Sequence, residues 1–263
     1  GKGWFYDNAA RKIYLADAGQ DIQVLRSVYV ALCSTQMTLA GARIVFDKNI
    51  VFDGVPIVAN EASGQVPIIC FSGTRNRFSQ SHTIQVNGGI CLSENVLSYG
   101  GAYDGWNYNR GASGNTFAME INCRGYGAGN IDAWGAEGDE NRNGSSAHGG
   151  CDVIRLGGMY DGNFGPNIND TSIEGFGSTS WNVGVLTRNS TAVVLNRGLA
   201  SDGTLSGGRA VWLDNCVDVD ATDAGIFAKG AGNPVKLSNC RTHGAGNRSE
   251  DGAEFVAYEP ASP

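Results

Sequence analysis

What this sequence has little of is informative. Its 263 residues contain only 6 prolines, 3 methionines and 3 histidines. The seven cysteines, at 33, 70, 91, 123, 151, 216 and 240, form no C-x-x-C pair and are odd in number, which argues against a zinc site or a complete disulfide framework. They are read as small buried apolar residues. No apolar run approaches the roughly 18 residues that a membrane-spanning helix needs. Positions 1–20 also lack the charged-then-apolar layout of a signal peptide. The first residue, Gly1, is not a methionine, so a processed chain or a piece of a longer one is expected. The 19 Lys and Arg residues are scattered among 26 Asp and Glu, for a net charge of −7, and no basic stripe suits nucleic acid. G-x-S-x-G, H-E-x-x-H and the P-loop are missing, and the glycines of "GYGAGN" lack dinucleotide-binding spacing.

What is present points to strands. The chain is 41% hydrophobic and 17% charged, enough to bury a core as one elongated domain or two small ones, and its 39 glycines mark many turns. "NCRGYGAGN" at 122–130 and "NCRTHGAGN" at 239–247 agree at seven of nine positions. "VWLDNC" at 211–216 and "VKLSNC" at 235–240 lie 24 residues apart, and the longer motif recurs after 117 residues, about five such periods. A fixed period of this size signals a solenoid. Its apolar residues alternate, as in Val211 and Leu213, or form short runs such as Ile44-Val45-Phe46, with Gly, Asn, Asp and Ser between them. These are strands rather than helices.

The fold class expected is therefore all-β: a right-handed parallel β-helix with coils of about 23–24 residues. The repeated motif would be a corner of the coil, rewritten five turns later, with Asn215/Asn239 and Cys216/Cys240 each one rung apart. "GQDIQVLRSVYVALCS" at 19–34 carries Ile22, Leu25, Val28 and Leu32 at helical spacing behind Asp21, which predicts a short N-terminal capping helix. The boundaries expected are a strand and capping helix over 1–40, the solenoid over 41–252 with loop insertions near 100–114 and 130–150, and a C-terminal tail over 253–263.

With "RIVFDKNIVFDG" following the capping segment, the chain resembles the pectate-lyase-like right-handed β-helix superfamily. The stretch "GDENRNGSSAHGGCDVIRLGGMYDGNFGPNINDT" at 138–171, then "SWNVGVL" and "VWLDNC", looks most like the β-helix proteins of bacteriophage tailspikes and prophage appendages. That resemblance implies a homotrimeric virion or extracellular appendage. It would bind, and often cleave, a bacterial surface polysaccharide through acidic residues on the solvent face or between subunits. Other virion proteins would be further partners. Tailspikes are usually much longer, and no separate anchoring or trimerisation domain is legible.

Glycoside hydrolysis needs two carboxylates at about 5 to 10 Å, whereas a lyase needs a base and a group that neutralises the sugar carboxylate. "GGAYDGWNYNRGASG" at 100–114 offers Asp104, Trp106, Tyr108 and Arg110 as substrate-binding residues. "NIDAWGAEGDENRNGSSAHGG" at 130–150 adds Trp134 for binding, with Glu137, Asp139 and His148 as catalytic candidates. Asp139 or Asp152 would orient His148. Tyr160 and Asp161 follow about one coil later, Tyr160 as a sugar platform and Asp161 as the carboxylate partner of Glu137 or Asp139. Each has a plainer reading: solvated loop acids, a hydrogen-bonded surface histidine, a turn at Asp161-Gly162. Trp181 and Trp212 are read as packing residues, and His243 as a variable corner position. No cofactor is expected, apart from weak calcium character at Asp139 and Glu140. The leading expectation is a tailspike-like, polysaccharide-binding and possibly depolymerising trimer. The alternatives are a non-catalytic structural component of a virion and a secreted lyase or epimerase.

Overall fold

In the computed structural model, the residues described are 3–7, 12–16, 30–31, 36–41, 45–79, 81–129, 142–171, 179–188, 197–202, 210–230 and 234–259. The chain divides into two compact units at Val30/Ala31. In the first, Gly3–Asp7 and Lys12–Ala16 pair as an antiparallel hairpin.

The second unit is built on a repeated corner. Asn49, Asn95, Asn122, Asn215 and Asn239 all have φ between 49° and 56°, and Gly73, Gly157 and Gly184 occupy the same corner at 64°. Left-handed backbone is costly for most residues. Glycine escapes the Cβ clash, and asparagine offsets it with a local side-chain hydrogen bond. Each of these residues, up to Asn215, donates its backbone N–H to the carbonyl at the matching place one coil on, as in Asn49 to Ser72, Asn122 to Leu156 and Asn215 to Ser238. Asn122 Nδ2 also donates to Asn95 Oδ1 of the coil before at 2.7 Å. The repeated "NC" is therefore this corner, with Asn215 over Asn239 and Cys216 over Cys240 one rung apart, as the period requires. The spacing of the long motif is corrected: successive corners fall at 122, 157, 184, 215 and 239, so the two copies are four coils apart, not five. Insertions lengthen the coils between them.

Between corners the chain runs in short strands that form three nine-stranded sheets, each parallel throughout in the pairings described. The first sheet starts at Met37–Ala40, the second at Val45–Lys48, and the third at Val30–Ala31. The architecture is a parallel β-solenoid. Pairing partners lie about 4.8 Å apart, so like positions stack into columns and alternate inward and outward. Thr116–Ile121 and Cys151–Leu156 show the alternation of buried and open residues directly.

The helix expected over 19–34 is not found where the segment is described. Val30–Ala31 is the first strand of the third sheet, and the rest lies outside the described residues. Two β-branched or small residues beside a sheet edge gain ladder hydrogen bonds that helical periodicity does not anticipate. Nor is 100–114 wholly a loop, since Trp106–Asn109 is a strand of the first sheet. Ser145–Ala147, within the expected insertion at 130–150, is another. Phe255–Ala257 adds the last strand of the second sheet, beyond the expected boundary at 252.

In the second sheet one inward column is apolar at both ends and polar in the middle, while its neighbour, Ile69, Cys91, Ala118 and Val153, stays apolar. The former reads Phe71, Ser93, Glu120, Arg155, Asn182, Leu213. Arg155 and Glu120 are fully buried. The guanidinium donates to Asp170 through two bonds of 3.0 Å, to Asn182 Oδ1 at 3.1 Å, to Ser145 Oγ at 2.9 and 3.1 Å, and to Glu120 Oε1 at 3.3 Å. Tyr160 donates to the other Glu120 oxygen at 2.5 Å, and Ser145 donates to Oε1 at 2.7 Å. Burial alone pulls the Arg155 guanidinium down, but Asp170 and Glu120 outweigh it and hold it well above its ordinary value.

Candidate functional site

The solvent face of the third sheet carries the candidate site. Residues following the Asn-Cys corner alternate: in "NCRGY" the cysteine points in, Arg124 out, Gly125 in and Tyr126 out. Stacking repeats this in every coil and writes two outward columns. One reads Arg75, Leu97, Arg124, Met159, Leu186. The other reads Asp53, Arg77, Tyr99, Tyr126, Asp161, Arg188.

Between these columns lies a groove of about 450 Å³, lined by Arg75, Leu97, Arg124, Tyr126, Met159 and Asp161, with Asn95 and Asn122 at its corner edge. Tyr126 lies against Tyr99 with ring centroids 4.4 Å apart and planes inclined at 34°. Phe78, 40% exposed, meets Tyr99 edge-on at 5.1 Å. Ion pairs brace the row at both ends, Arg77 to Asp53 and Arg188 to Asp161, each at 2.6 Å. Hydrogen bonding to Asp161 raises the Arg188 guanidinium further. Aromatic faces, aliphatic floor, amides and guanidinium groups along a ladder suit an extended ligand that is polar at its edges and apolar on its faces.

Of the residues singled out from sequence, Asp161 alone lines this groove. Its partner is Arg188; Glu137, Asp139, Glu140 and Trp134 lie outside the described residues. Trp106, Tyr108 and Tyr160 are 0% exposed and present no face to a sugar ring from solvent. Trp106 donates its indole N–H to Ser93 at 3.3 Å and meets Tyr160 edge-on at 6.3 Å. Burial pushes the Tyr108 and Tyr160 phenols well above their ordinary range. The reason is positional: both tyrosines and Trp106 fall on inward columns, and Gly125 leaves the room that Trp106 and Tyr160 fill.

Asp104 is also interior, at 1% exposure. It accepts from the Asn143 backbone and amide at 2.7 and 3.0 Å, from Asn107 at 2.9 Å and from Ser146 at 2.6 Å, with His82 Nδ1 at 3.5 Å. This clasp ties neighbouring coils together. His148 is half-buried beside it, with Nε2 3.2 Å from Asn107 Nδ2. Asp152, one proposed orienter of His148, accepts instead from the Thr179 backbone at 2.9 Å on the second sheet. Arg110 is half-buried and its stem covers Gly150. Among the described residues no cluster of three His, Cys, Asp or Glu could hold a metal ion.

The second sheet presents a different face. Ile90, Phe117, Leu156, Trp181, Val183 and Val256 are each 37–48% exposed, and all lie on its outer side. Trp181 and Trp212 therefore do not pack inside: they sit in register, edge-to-face at 5.6 Å, with Lys236 4.4 Å above the Trp212 ring. A shallow pocket of about 260 Å³ lies among Phe117, Asp152, Ile154 and Trp181. Exposed apolar residues gathered on one face, interspersed with Glu94, Asp152, Asp214 and Lys236, are the composition of an interaction surface.

No protein-family model, curated relative or solved structure matches the chain.

Sequence reading missed Arg75, Leu97, Tyr99, Arg124, Tyr126 and Met159. A signal was present in the motif itself. The residues two and four places after the corner asparagine are outward in every coil, which makes Arg124 and Tyr126, and equally Arg241 and His243, surface positions. His243 is a strand residue of the third sheet and not part of the corner.

Proposed function

We propose that this protein binds a surface polysaccharide along the outer face of the third sheet, as a tailspike-like appendage of the pectate-lyase-like β-helix type. The observation that carries the reading is the groove, with Tyr126, backed by Tyr99, for sugar faces and Arg75, Arg124, Asn95 and Asn122 for hydroxyl and ring substituents. A polymer of repeating units fits a surface whose own side chains repeat every coil.

Binding is supported further than cleavage. Hydrolysis requires two carboxylates at about 5 to 10 Å, and of the residues lining the groove Asp161 is the single acid. Assembly as a homotrimer gives the apolar face of the second sheet a partner in a second copy, since a closed ring of three hides it on every subunit. On this reading the protein acts outside the bacterial cell, at the surface of a virion.

The deciding experiment incubates the protein with a panel of bacterial capsular and O-antigen polysaccharides. It follows binding by affinity electrophoresis, together with reducing ends and the ultraviolet absorbance of unsaturated uronates. Retardation by at least one glycan, abolished in Tyr126→Ala, is the expected result. New reducing ends without absorbance would add a hydrolase activity, and absorbance would add a lyase. Absence of binding across the panel, with trimers in solution, would replace the proposal with a purely structural virion component.

A further inference from the structure

Among the described residues, two cations in the groove stand outside every ion pair. Arg75 and Arg124 are both exposed, and among the described residues neither has an ion-pair partner. Their neighbours differ: Arg77 is held by Asp53 and Arg188 by Asp161. Leu97 pairs in register with Arg75 on one side and Arg124 on the other. The two guanidinium groups thus rise from positions two coils apart, roughly 10 Å at about 4.8 Å per parallel rung, with an aliphatic side chain between them.

The chain as a whole carries a net charge of −7 and repels anions at long range. Among the described residues, a pair of arginines without ion-pair partners in one groove therefore marks a local reversal of sign. Asp161 does not cancel it, because its charge is taken up by Arg188. An arginine fork donates two parallel bonds to a planar or tetrahedral oxyanion, and such charge-assisted bonds are about twice as strong as neutral ones. A neutral sugar hydroxyl engages one such N–H and leaves the charge uncompensated.

Building on the glycan-binding reading above, on which this inference rests, we propose that the ligand is an anionic glycan. Arg75 and Arg124 each hold one acidic substituent, two coils apart, while Leu97, Tyr126 and Met159 meet the apolar sugar faces between them. Carboxylate and sulfate share the required chemistry, and the test separates them.

The intact protein is titrated against polygalacturonate and its carboxyl-reduced, neutral form, and against dextran sulfate and dextran, by affinity electrophoresis and calorimetry. The expected result is binding to an acidic polymer that weakens as salt is raised, with about tenfold or greater loss in Arg75→Gln/Arg124→Gln at unchanged Tm. The uncharged polymers bind wild type and variant equally. Preference for polygalacturonate identifies uronates, and preference for dextran sulfate identifies sulfated sugars. Equal binding of acidic and neutral forms, untouched by the double substitution but lost in Tyr126→Ala, overturns the anionic assignment and leaves the glycan reading standing. If neither pair binds and the capsular panel is also silent, both fall together.

Discussion

Replacing Arg155 by methionine probes the polar centre of the solenoid directly. Methionine roughly keeps the aliphatic length and removes the guanidinium, leaving Glu120 and Asp170 inside the protein without the cation between them. The side chain is fully buried, and six hydrogen bonds of 2.9–3.3 Å run from it to Glu120, Ser145, Asp170 and Asn182. Breaking a buried ion pair from one side destabilises by about 3–5 kcal/mol, since an uncompensated charge stays behind. For a chain of this size that corresponds to a fall in Tm on the order of 10 °C. Neutralising the acids as well, in Glu120→Gln/Arg155→Met/Asp170→Asn, should recover most of the loss, because charge left over, rather than volume, is the dominant penalty. Urea and thermal denaturation at pH 7, followed by circular dichroism, measure both variants. A single variant within about 1 kcal/mol of wild type would refute the reading of Arg155 as the cation that compensates the buried Glu120 and Asp170. A triple variant no better than the single one would show that shape and not charge is decisive.

Other consequences concern protons, thiols and assembly. Burial raises the Asp218 carboxyl to about 6 from an ordinary 3.8, against the bond of 2.7 Å that Thr187 donates to it. A folded-state value above the unfolded one means the native state holds the extra proton between about pH 4 and 6, so this group's contribution declines as pH rises through that window and is fully adverse above it. Asp218→Asn keeps an acceptor for Thr187 and should stabilise at pH 7 by up to about 3 kcal/mol, with little effect at pH 4; equal effects at both pH values would contradict the assignment. Contact with the Cys216 thiol lowers Cys240, while burial pushes Cys91 up to about 12. Iodoacetamide followed by peptide mass mapping should therefore modify half-exposed Cys240 well before buried Cys91; early labelling of Cys91 would be inconsistent. Trp181→Glu, on the apolar face of the second sheet, should convert the proposed trimers to monomers in sedimentation, with the far-ultraviolet circular dichroism of the folded chain retained. A wild-type chain that stays monomeric at high micromolar concentration would remove the trimer.

The solenoid was legible because its determinants are local. A left-handed asparagine or glycine at the corner and alternation beyond it recur from coil to coil, and the three "NC" copies at 122, 215 and 239 spell that corner with the same two letters. What could not be read was coil length. Between the two long motifs the chain inserts residues into some coils and substitutes Gly157 and Gly184 for asparagine at the corner, so letter spacing overcounts the turns. The cap expected over 19–34 overlaps Val30–Ala31, a strand of the third sheet, and a two-residue strand leaves no periodicity of its own to read.

The candidate site was harder to see, and the reason is physical. Tryptophan, tyrosine and aspartate in a glycine-rich stretch resemble a ligand-binding loop, yet Trp106 and Tyr108 sit two apart on an inward-facing strand, the spacing that places both in the core. Arg75, Leu97 and Arg124 are far apart in sequence and unremarkable individually; only stacking brings them into one row. In a solenoid a binding surface is assembled across coils, one or two residues from each, so the informative unit is the column and not the motif. The same logic explains why acidic loop residues drew attention while the unpaired arginines did not. A carboxylate in a loop has a chemistry that can be named in isolation, whereas the charge of Arg75 and Arg124 acquires meaning only once Asp53 and Asp161 are seen to be taken by other partners.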